Sequence, residues 1–292
     1  MNKNIGYVYS YILSKLTSYL VKKSFAWFMP IITSKSTDPL FPDPSGSVLG
    51  SLEVELYGEK VYLTQSLIIH KMVLISQGYD RIFFLSPNIR LEKPERSSTG
   101  RHAYEFTQLD FEMANASYKD IMKLVEDMII RSLKYIRMDL SDILKELGSD
   151  IKAPKRGFKV YTLEEVKREF GENWETYPHE NFIWVTNIPR YFYDKEEDSW
   201  LNYDLILPDG YGEVLSGGQR EYEYNKIVRK MERDGIDKSK YVKLLDLAKN
   251  GQLRPSAGGG LGIERFIRWI VRAKSIYDVQ PFPRIPGKVD LL

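Results

Sequence analysis

Charged side chains cluster around one predicted strand in a pattern that suits a polyphosphate ligand. Arg90 and Glu92 are two residues apart, so they share one face of that strand. Arginine binds phosphate oxygens through paired hydrogen bonds, and a mobile cationic loop can close over the outer phosphates. A solvent-exposed charged hairpin with surface salt bridges fits the same spacing, so both interpretations stand. The polar loop after the strand supplies Lys93, Arg96, Arg101 and His102.

Two acidic residues flank a predicted turn further along the chain. If residues 209–210 form a two-residue turn, Ile206 lies opposite Glu213, and Asp204 becomes a diagonal neighbour of Glu213. Two such carboxylates repel each other unless a cation lies between them, and Mg²⁺ bridging to phosphate oxygens is the natural occupant. An ordinary hairpin with exposed acids fits equally well. After Ser216, the glycines Gly217 and Gly218 allow a ligand to approach the backbone closely, and a further cation, Arg220, follows them.

A glycine-rich segment, residues 258–262, runs into a predicted helix that carries Arg265. The start of a helix favours anionic groups, and glycines let backbone approach a ligand. The spacing is neither the dinucleotide-binding fingerprint nor a Walker sequence. Taken alone, the segment indicates only a close approach between backbone and ligand.

The elements that must position these residues form an α+β pattern. Strands joined by short loops dominate the middle of the chain, which predicts an antiparallel β-sheet flanked by helices. Residues 34–50 read as a loop, and residues 139–180 as a small helical insertion. Helices are predicted over 5–23, 66–77, 118–138, 221–234, 238–249 and from the glycine-rich segment to about 274. Strands are predicted over 54–63 (a hairpin), 81–91, 103–113, 182–188, 203–207 and 211–215.

Composition excludes several classes of function. The 292 residues carry a formal net charge of +2, which does not indicate a dedicated polyanion binder. The chain has no cysteine, so disulfides, thiolate metal sites and cysteine nucleophiles are excluded. His70, His102 and His179 lack metal-ligand spacing. No apolar run is long enough to span a bilayer and no signal peptide is recognised, so we expect a cytoplasmic protein.

Three ordered segments resemble the motifs of class II aminoacyl-tRNA synthetases of the aspartyl/asparaginyl group, over about residues 20–287. Phe25–Pro30 resembles motif 1, which in the family builds the dimer interface. Residues 89–92 with Arg101–Asp110 resemble motif 2, and Gly258–Phe266 with residues 282–284 resembles motif 3. The resemblance implies the class II synthetase-like antiparallel sheet and a homodimer formed around Pro30.

The resemblance also implies a role for each matching residue. Arg90 would grip the α-phosphate of ATP, while Phe106 and Arg265 would hold opposite faces of the adenine. Lys71 and Arg220 would face the substrate aspartate. The implied catalytic residues are Arg90 and Arg265, and the ATP-binding set is Arg90, Glu92, Arg101, His102, Glu105, Phe106, Glu213, Gly262 and Arg265. The implied substrate-binding set is Gln65, Lys71, Ser216, Gly218 and Arg220, and the implied Mg²⁺ ligands are Glu213, Ser216 and Asp204.

Two departures from the family pattern bear on function. Ile68 stands where the family has a glutamine that touches the amino acid, and Leu67 stands where it has proline. No anticodon-binding barrel precedes the catalytic residues, so we expect a single catalytic domain over residues 1–292. Archaeal relatives of asparaginyl-tRNA synthetase that act as asparagine synthetases resemble the chain in length and over Leu85–Glu92.

These features lead to one expected function and two alternatives. We expect ATP and Mg²⁺ to activate aspartate as an aspartyl-adenylate, which ammonia converts to asparagine with release of AMP. The first alternative is an asparaginyl- or aspartyl-tRNA synthetase catalytic domain, so tRNA remains open as a partner. The second is a non-catalytic paralogue that binds a nucleotide.

Overall fold

The computed structural model describes residues 1–38 and 48–289. Within these residues one sheet has eight strands in the order β1-β5-β6-β11-β10-β9-β8-β7, and a smaller sheet has the order β2-β4-β3. The strands are β1 Ala26–Trp27, β2 Thr33–Ser34, β3 Glu53–Leu56, β4 Glu59–Leu63, β5 Arg81–Ile89, β6 Glu105–Ala114, β7 Lys159–Thr162, β8 Ile183–Thr186, β9 Asn202–Leu207, β10 Gly212–Gln219 and β11 Ser256–Gly262.

Helices cover both faces of the large sheet. Neighbouring strands are antiparallel except in the two outermost pairs, β1 with β5 and β7 with β8, which confirms the predicted α+β class and antiparallel sheet. The helices are α1 Lys3–Lys22, α2 Ile68–Ser76, α3 Tyr118–Asp139, α4 Ser141–Glu146, α5 Leu163–Phe170, α6 Tyr224–Arg233, α7 Val242–Lys249 and α8 Ile263–Ile270.

Helices α1, α3 and α8 pack on one face of the sheet because each carries an apolar stripe at helical spacing. In α1 the buried positions are Ile5, Val8, Ile12, Leu16 and Leu20, and they join one core with α3 and α8. Every described helix is too short or too polar to span a lipid bilayer.

The opposite face of the sheet is polar where the candidate site lies. In β6, Leu109 and Phe111 belong to the apolar core, so the residues between and beside them point to the other face. Those residues are Gln108, Asp110 and Glu112, and α2 with its neighbours α6 and α7 lies on this side. Alternation within one strand therefore supplies both the core and a row of polar groups.

The turn after β9 forms as its residues predict. Asp209 and Gly210 have φ values of 59° and 77°, and Tyr211 N donates to Pro208 O at 3.3 Å. Ile206 pairs with Glu213, which confirms the predicted register. A bulge between Glu213 and Leu215 then shifts the pairing, so that Asp204 lies opposite Ser216.

Some segments differ from the sequence-based boundaries. Residues 139–180 contain α4, α5 and a 3₁₀ turn at Trp174–Thr176, but also strand β7, which pairs with β8 and extends the large sheet. Helix α8 ends at Ile270 rather than near residue 274, and Arg272 just beyond it has a φ of 56°. Most of the predicted loop over residues 34–50 lies outside the described residues.

Candidate active site

Two adjoining cavities lie over the polar face of the sheet. Arg90, Gln108 and Glu213 line both of them, so these three residues mark the boundary between the cavities. Further residues of the first cavity include Glu92, Arg101, His102, Phe106, Gly262, Glu264 and Arg265. Further residues of the second cavity include Asp38, Ser66, Ile68, Lys71, Asp110, Arg190, Tyr193, Asp194, Ser216, Gly217 and Arg220.

Arg90 is held in place by contacts on two sides. Its Nε donates to Gln65 O at 3.2 Å, and its guanidinium lies 5.0 Å from the centre of the Phe106 ring. A cation stacked on an aromatic face is stabilised by the ring quadrupole. Arg90 therefore reaches the boundary of the two cavities with a fixed orientation.

Arg265 joins the three segments that the sequence singled out. It lies in the first turn of α8, its Nη1 donates to Glu213 O at 2.9 Å, and its Nε donates to Arg101 O at 3.3 Å. The Glu213 carboxylate lies 3.6 Å from the same guanidinium. The first cavity thus collects residues from β5, the loop after it, β6, β10 and α8.

Arg101 has a partner that sequence reasoning missed. Its guanidinium forms an ion pair with Glu175, with Nη2 to Oε2 at 3.1 Å, and Glu175 Oε1 also accepts from Glu213 N at 3.3 Å. Burial raises the pKa of Glu175, but the charges of Arg101 and Arg265 outweigh burial and the pKa lies below its usual value. An ionised carboxylate from the 139–180 segment therefore pairs with Arg101, one of the cations that line the first cavity.

His102 is present in the first cavity as a neutral ring. Its Nε2 lies 2.9 Å from Arg96 Nη2 and its Nδ1 lies 2.6 Å from Thr99 Oγ1. Burial and the nearby charges of Arg265 and Arg96 lower the pKa of His102 to about 2. At neutral pH it adds no charge, and both of its ring nitrogens are already engaged by Arg96 and Thr99.

The two predicted substrate-facing cations reach the second cavity, but each already has carboxylate partners. Lys71 Nζ donates to Asp110 Oδ1 at 2.8 Å and to Gly259 O at 3.1 Å. Arg220 pairs with Glu112 Oε1 at 3.0 Å and with Asp194 Oδ1 at 2.7 Å. Both side chains are 2% exposed, so these are buried ion pairs.

Asp204 is also paired with a cation. Both of its carboxylate oxygens lie 2.7 Å from Arg190 Nη2, and Arg190 lines the second cavity. Burial, together with the negative charges of Glu213 and Glu175, raises the pKa of Asp204 to about 7 against the opposing effect of Arg190. Among residues 1–38 and 48–289, no three acidic or histidine side chains converge as a metal-ligand set.

Four predicted site residues lie outside both cavities: Asp204, which Arg190 covers, and Gln65, Gly218 and Glu105. Gln65 is 1% exposed and donates to Gly50 O and Ser51 Oγ, so it supports Arg90 from behind. A Cβ at Gly218 would lie 2.8 Å from Asn202 Cβ, which places this glycine against the neighbouring strand. Glu105 lies at the start of β6 and is 3.6 Å from Arg284.

The residues that sequence reasoning missed fall into two groups. Asp110 and Glu112 alternate with buried apolar residues in the middle of β6, and this alternation is a signal that could have found them. Arg190 and Asp194 follow β8 in an irregular segment, and Glu175 lies in a short 3₁₀ turn. No periodic pattern marks these three positions.

Comparison with known proteins agrees with this geometry. The profile of the family described as tRNA synthetases class II (D, K and N) matches residues 2–286. The chain is 31% identical over 265 residues to an asparagine–tRNA ligase of Thermoplasma acidophilum, covering 82% of this chain and 60% of that protein. It is 30% identical over 289 residues to the Pyrococcus abyssi enzyme of the same name, covering 90% of this chain and 63% of that protein.

A solved structure shares the fold. The asparaginyl-tRNA synthetase of Pyrococcus horikoshii, complexed with asparaginyl-adenylate, matches with a TM-score of 0.87 and 25% identity, covering 98% of this chain and 69% of that chain. The chain therefore spans about three fifths of the length of the curated relatives above. With the same sheet and the same ordered motifs, the chain belongs to the class II tRNA synthetase family of the aspartyl, lysyl and asparaginyl type.

Proposed function

We propose that the chain uses ATP to activate an amino acid as an aminoacyl-adenylate. The observation that carries this proposal is the pair of adjoining cavities that share Arg90, Gln108 and Glu213. One cavity has the aromatic and cationic lining that suits a nucleotide, and the other has paired buried charges that suit a zwitterion. An amino-acid carboxylate in the second cavity would meet the α-phosphate at Arg90.

The reaction needs positioning and charge neutralisation rather than a covalent nucleophile. A carboxylate oxygen of the amino acid bonds to the α-phosphorus of Mg–ATP, the bond to the β-phosphate oxygen breaks, and pyrophosphate leaves. Arg90 would neutralise the α-phosphate, and Phe106 and Arg265 would hold the adenine. Mg²⁺ enters as part of the Mg–ATP substrate, for which Glu213 and Ser216 offer hard oxygen ligands.

We propose asparagine as the activated amino acid and tRNA as the acceptor. The second cavity is balanced in charge, which favours an amino acid with a neutral side chain over one with a second carboxylate. The named functions of the asparagine–tRNA ligases that this chain resembles support the same choice. The lining cations are Lys71, Arg90, Arg190 and Arg220, and the lining carboxylates are Asp38, Asp110, Asp194 and Glu213.

Aspartate with ammonia as the acceptor is the second candidate. The observation in its favour is that Lys71, Arg190 and Arg220 all line one cavity, so three cations are available for an additional carboxylate. In this reaction ammonia would attack the carbonyl carbon of aspartyl-adenylate, lose a proton and displace AMP, giving asparagine.

Pyrophosphate exchange into ATP tests the proposal and separates the candidates. Exchange that depends on asparagine supports the first candidate. Formation of asparagine and AMP from ATP, aspartate and ammonium without tRNA supports the second. Arg90→Ala should abolish either activity, with Arg131→Ala as a surface control whose guanidinium pairs with Asp127. No exchange and no AMP with either amino acid would refute adenylation and favour a nucleotide-binding paralogue.

We also propose that two copies associate around Pro30, and that residues 1–292 act as one catalytic domain. An apolar surface next to the edge strand β1 supports the dimer, since Trp27, Met29, Ile31 and Ile32 are each about half or more exposed. Light scattering should show a dimer that Met29→Asp dissociates. A monomeric wild-type protein would refute this association.

A further inference from the structure

Arg190 occupies the position for which the sequence predicts a cation between two carboxylates. Asp204 and Glu213 lie on adjacent strands, β9 and β10, and Glu213 lines the second cavity. The expected occupant of that position is Mg²⁺. The structure instead places the Arg190 guanidinium beside Asp204, with Nη2 2.7 Å from both carboxylate oxygens and within electrostatic reach of Glu213.

The contact geometry leaves Asp204 poorly suited as a metal ligand. A single Arg190 nitrogen, Nη2, is shared between both carboxylate oxygens, and Asp204 is only 6% exposed. Mg²⁺ requires oxygen lone pairs in near-octahedral directions, and it would be repelled by a guanidinium bonded to the same oxygens. Glu213 also attracts Arg190, as does Asp194 further along the cavity wall.

Arg190 also has capacity for a ligand. A guanidinium has five N–H groups, and the Asp204 contacts use only Nη2. The side chain is 30% exposed and lines the second cavity beside Ser216 and Arg220. Its orientation is set by an ion pair, so the remaining donors are held at the cavity wall rather than free in solvent.

We propose that Arg190 is a built-in cation of this site, which replaces a divalent metal ion at Asp204 and directs its remaining N–H groups to the bound substrate. In this proposal Glu213 remains available as a ligand for the metal of Mg–ATP, whereas Asp204 holds the Arg190 guanidinium in place. The contact of Arg190 with substrate rests on the proposed adenylation, but the replacement of metal at Asp204 does not.

Binding of Mn²⁺ to the ligand-free protein tests the replacement directly. Electron paramagnetic resonance of free Mn²⁺ would be compared for wild type, Arg190→Met, Arg190→Lys and the exposed control Arg131→Met. Removing the guanidinium leaves Asp204 without its paired cation on the strand beside Glu213, so Arg190→Met should bind Mn²⁺ at least about tenfold more tightly than wild type. Arg190→Lys and Arg131→Met should resemble wild type, and Asp204→Asn should abolish the gain in Arg190→Met.

The Asp204→Asn variant, made in otherwise wild-type protein, tests the replacement of metal at Asp204 even if Arg190→Met fails to fold. The proposal expects no change in Mn²⁺ affinity, since Asp204 is not a metal ligand. Weaker Mn²⁺ binding in Asp204→Asn would overturn the proposal, as would a folded Arg190→Met variant that binds Mn²⁺ no more tightly than wild type.

The substrate contact has its own measurement. In pyrophosphate exchange, Arg190→Met should raise the KM for the activated amino acid at least about tenfold, because it removes charge-assisted hydrogen bonds to that substrate, whereas Arg131→Met should leave the KM unchanged. An unchanged KM in Arg190→Met would refute the substrate contact. If wild type shows no exchange at all, the proposed function fails, and the Mn²⁺ measurements still test the cation at Asp204.

Discussion

Asp194 should control whether the second cavity accepts a neutral or an acidic side chain. Its carboxylate bonds to Arg220 Nη1 at 2.7 Å and accepts from Asn202 Nδ2 at 3.2 Å, and it is 3% exposed. The perturbation is Asp194→Asn, which keeps the size of the side chain and an oxygen for Arg220. It removes one of the negative charges that balance the cavity.

The expected magnitude follows from the distance across the guanidinium. Glu112 and Gly258 O already accept from Nε and Nη2 of Arg220, so a substrate carboxylate would bond to the second N–H of Nη1, at about 6 Å from Asp194. At an effective dielectric constant of about 20, two like charges at that distance repel by about 3 kcal/mol, which corresponds to about 100-fold in affinity. Asp194→Asn should therefore shift discrimination towards aspartate by about 10- to 100-fold.

The assay is the ratio of kcat/KM for asparagine and aspartate in pyrophosphate exchange. Binding of non-hydrolysable asparaginyl and aspartyl adenylate analogues gives the same ratio without catalysis. Asp80→Asn is a matched control because it removes a charge from an exposed ion pair with Arg254. A folded Asp194→Asn protein with an unchanged ratio would refute the electrostatic argument.

Three further predictions concern the first cavity and the stability of the sheet. Glu175→Gln should lower the KM for ATP several-fold, because it removes the carboxylate that pairs with Arg101. A raised KM would contradict this and would mean that Glu175 positions Arg101. Glu172→Gln, which removes a surface carboxylate, is the control. Burial raises the pKa of Glu264 from 4.5 to about 7, so the folded state binds more protons between those values and stability falls as pH rises through that window. Urea denaturation should show that Glu264→Gln reduces the difference in unfolding free energy between pH 5 and pH 8 by up to about 3 kcal/mol. An unchanged difference would contradict the assignment of this pH dependence to Glu264. Gly258→Ala should lower the melting temperature strongly, because its Cβ would clash with the backbone oxygen of Phe111, whereas Gly6→Ala in α1 should not. Similar melting of the two variants would contradict the packing argument.

Local rules predicted much of the framework of the site. The register of Ile206 with Glu213 followed from one turn, because residues 209–210 adopt positive φ and a two-residue turn sets the pairing of its strands. The glycines of β11, which the sequence singled out for close approach to a ligand, also allow close approach to the neighbouring strand. A Cβ at Gly260 would lie 2.9 Å from Gln108 Nε2, so the strand approaches β6 closely only because it lacks side chains there.

The predicted boundaries were less accurate where packing overrides local preference. Strand β7 lies in a charged segment predicted to be helical, and it forms because its backbone pairs with β8 at the edge of the sheet. The buried face of β7 carries Tyr161, which packs with Val166 and Ile183. That partnership depends on residues that are distant in sequence, so no local pattern revealed it.

The sequence by itself determined the cations of the first cavity, from Arg90 on its strand to Arg265 after the glycine-rich segment. Only the tertiary structure decided their partners. The pairs Arg190–Asp204, Asp194–Arg220 and Arg101–Glu175 join residues 14, 26 and 74 positions apart. Ion pairs act through space and carry no periodicity along the chain, so charges that look available in a sequence can already be neutralised in the fold.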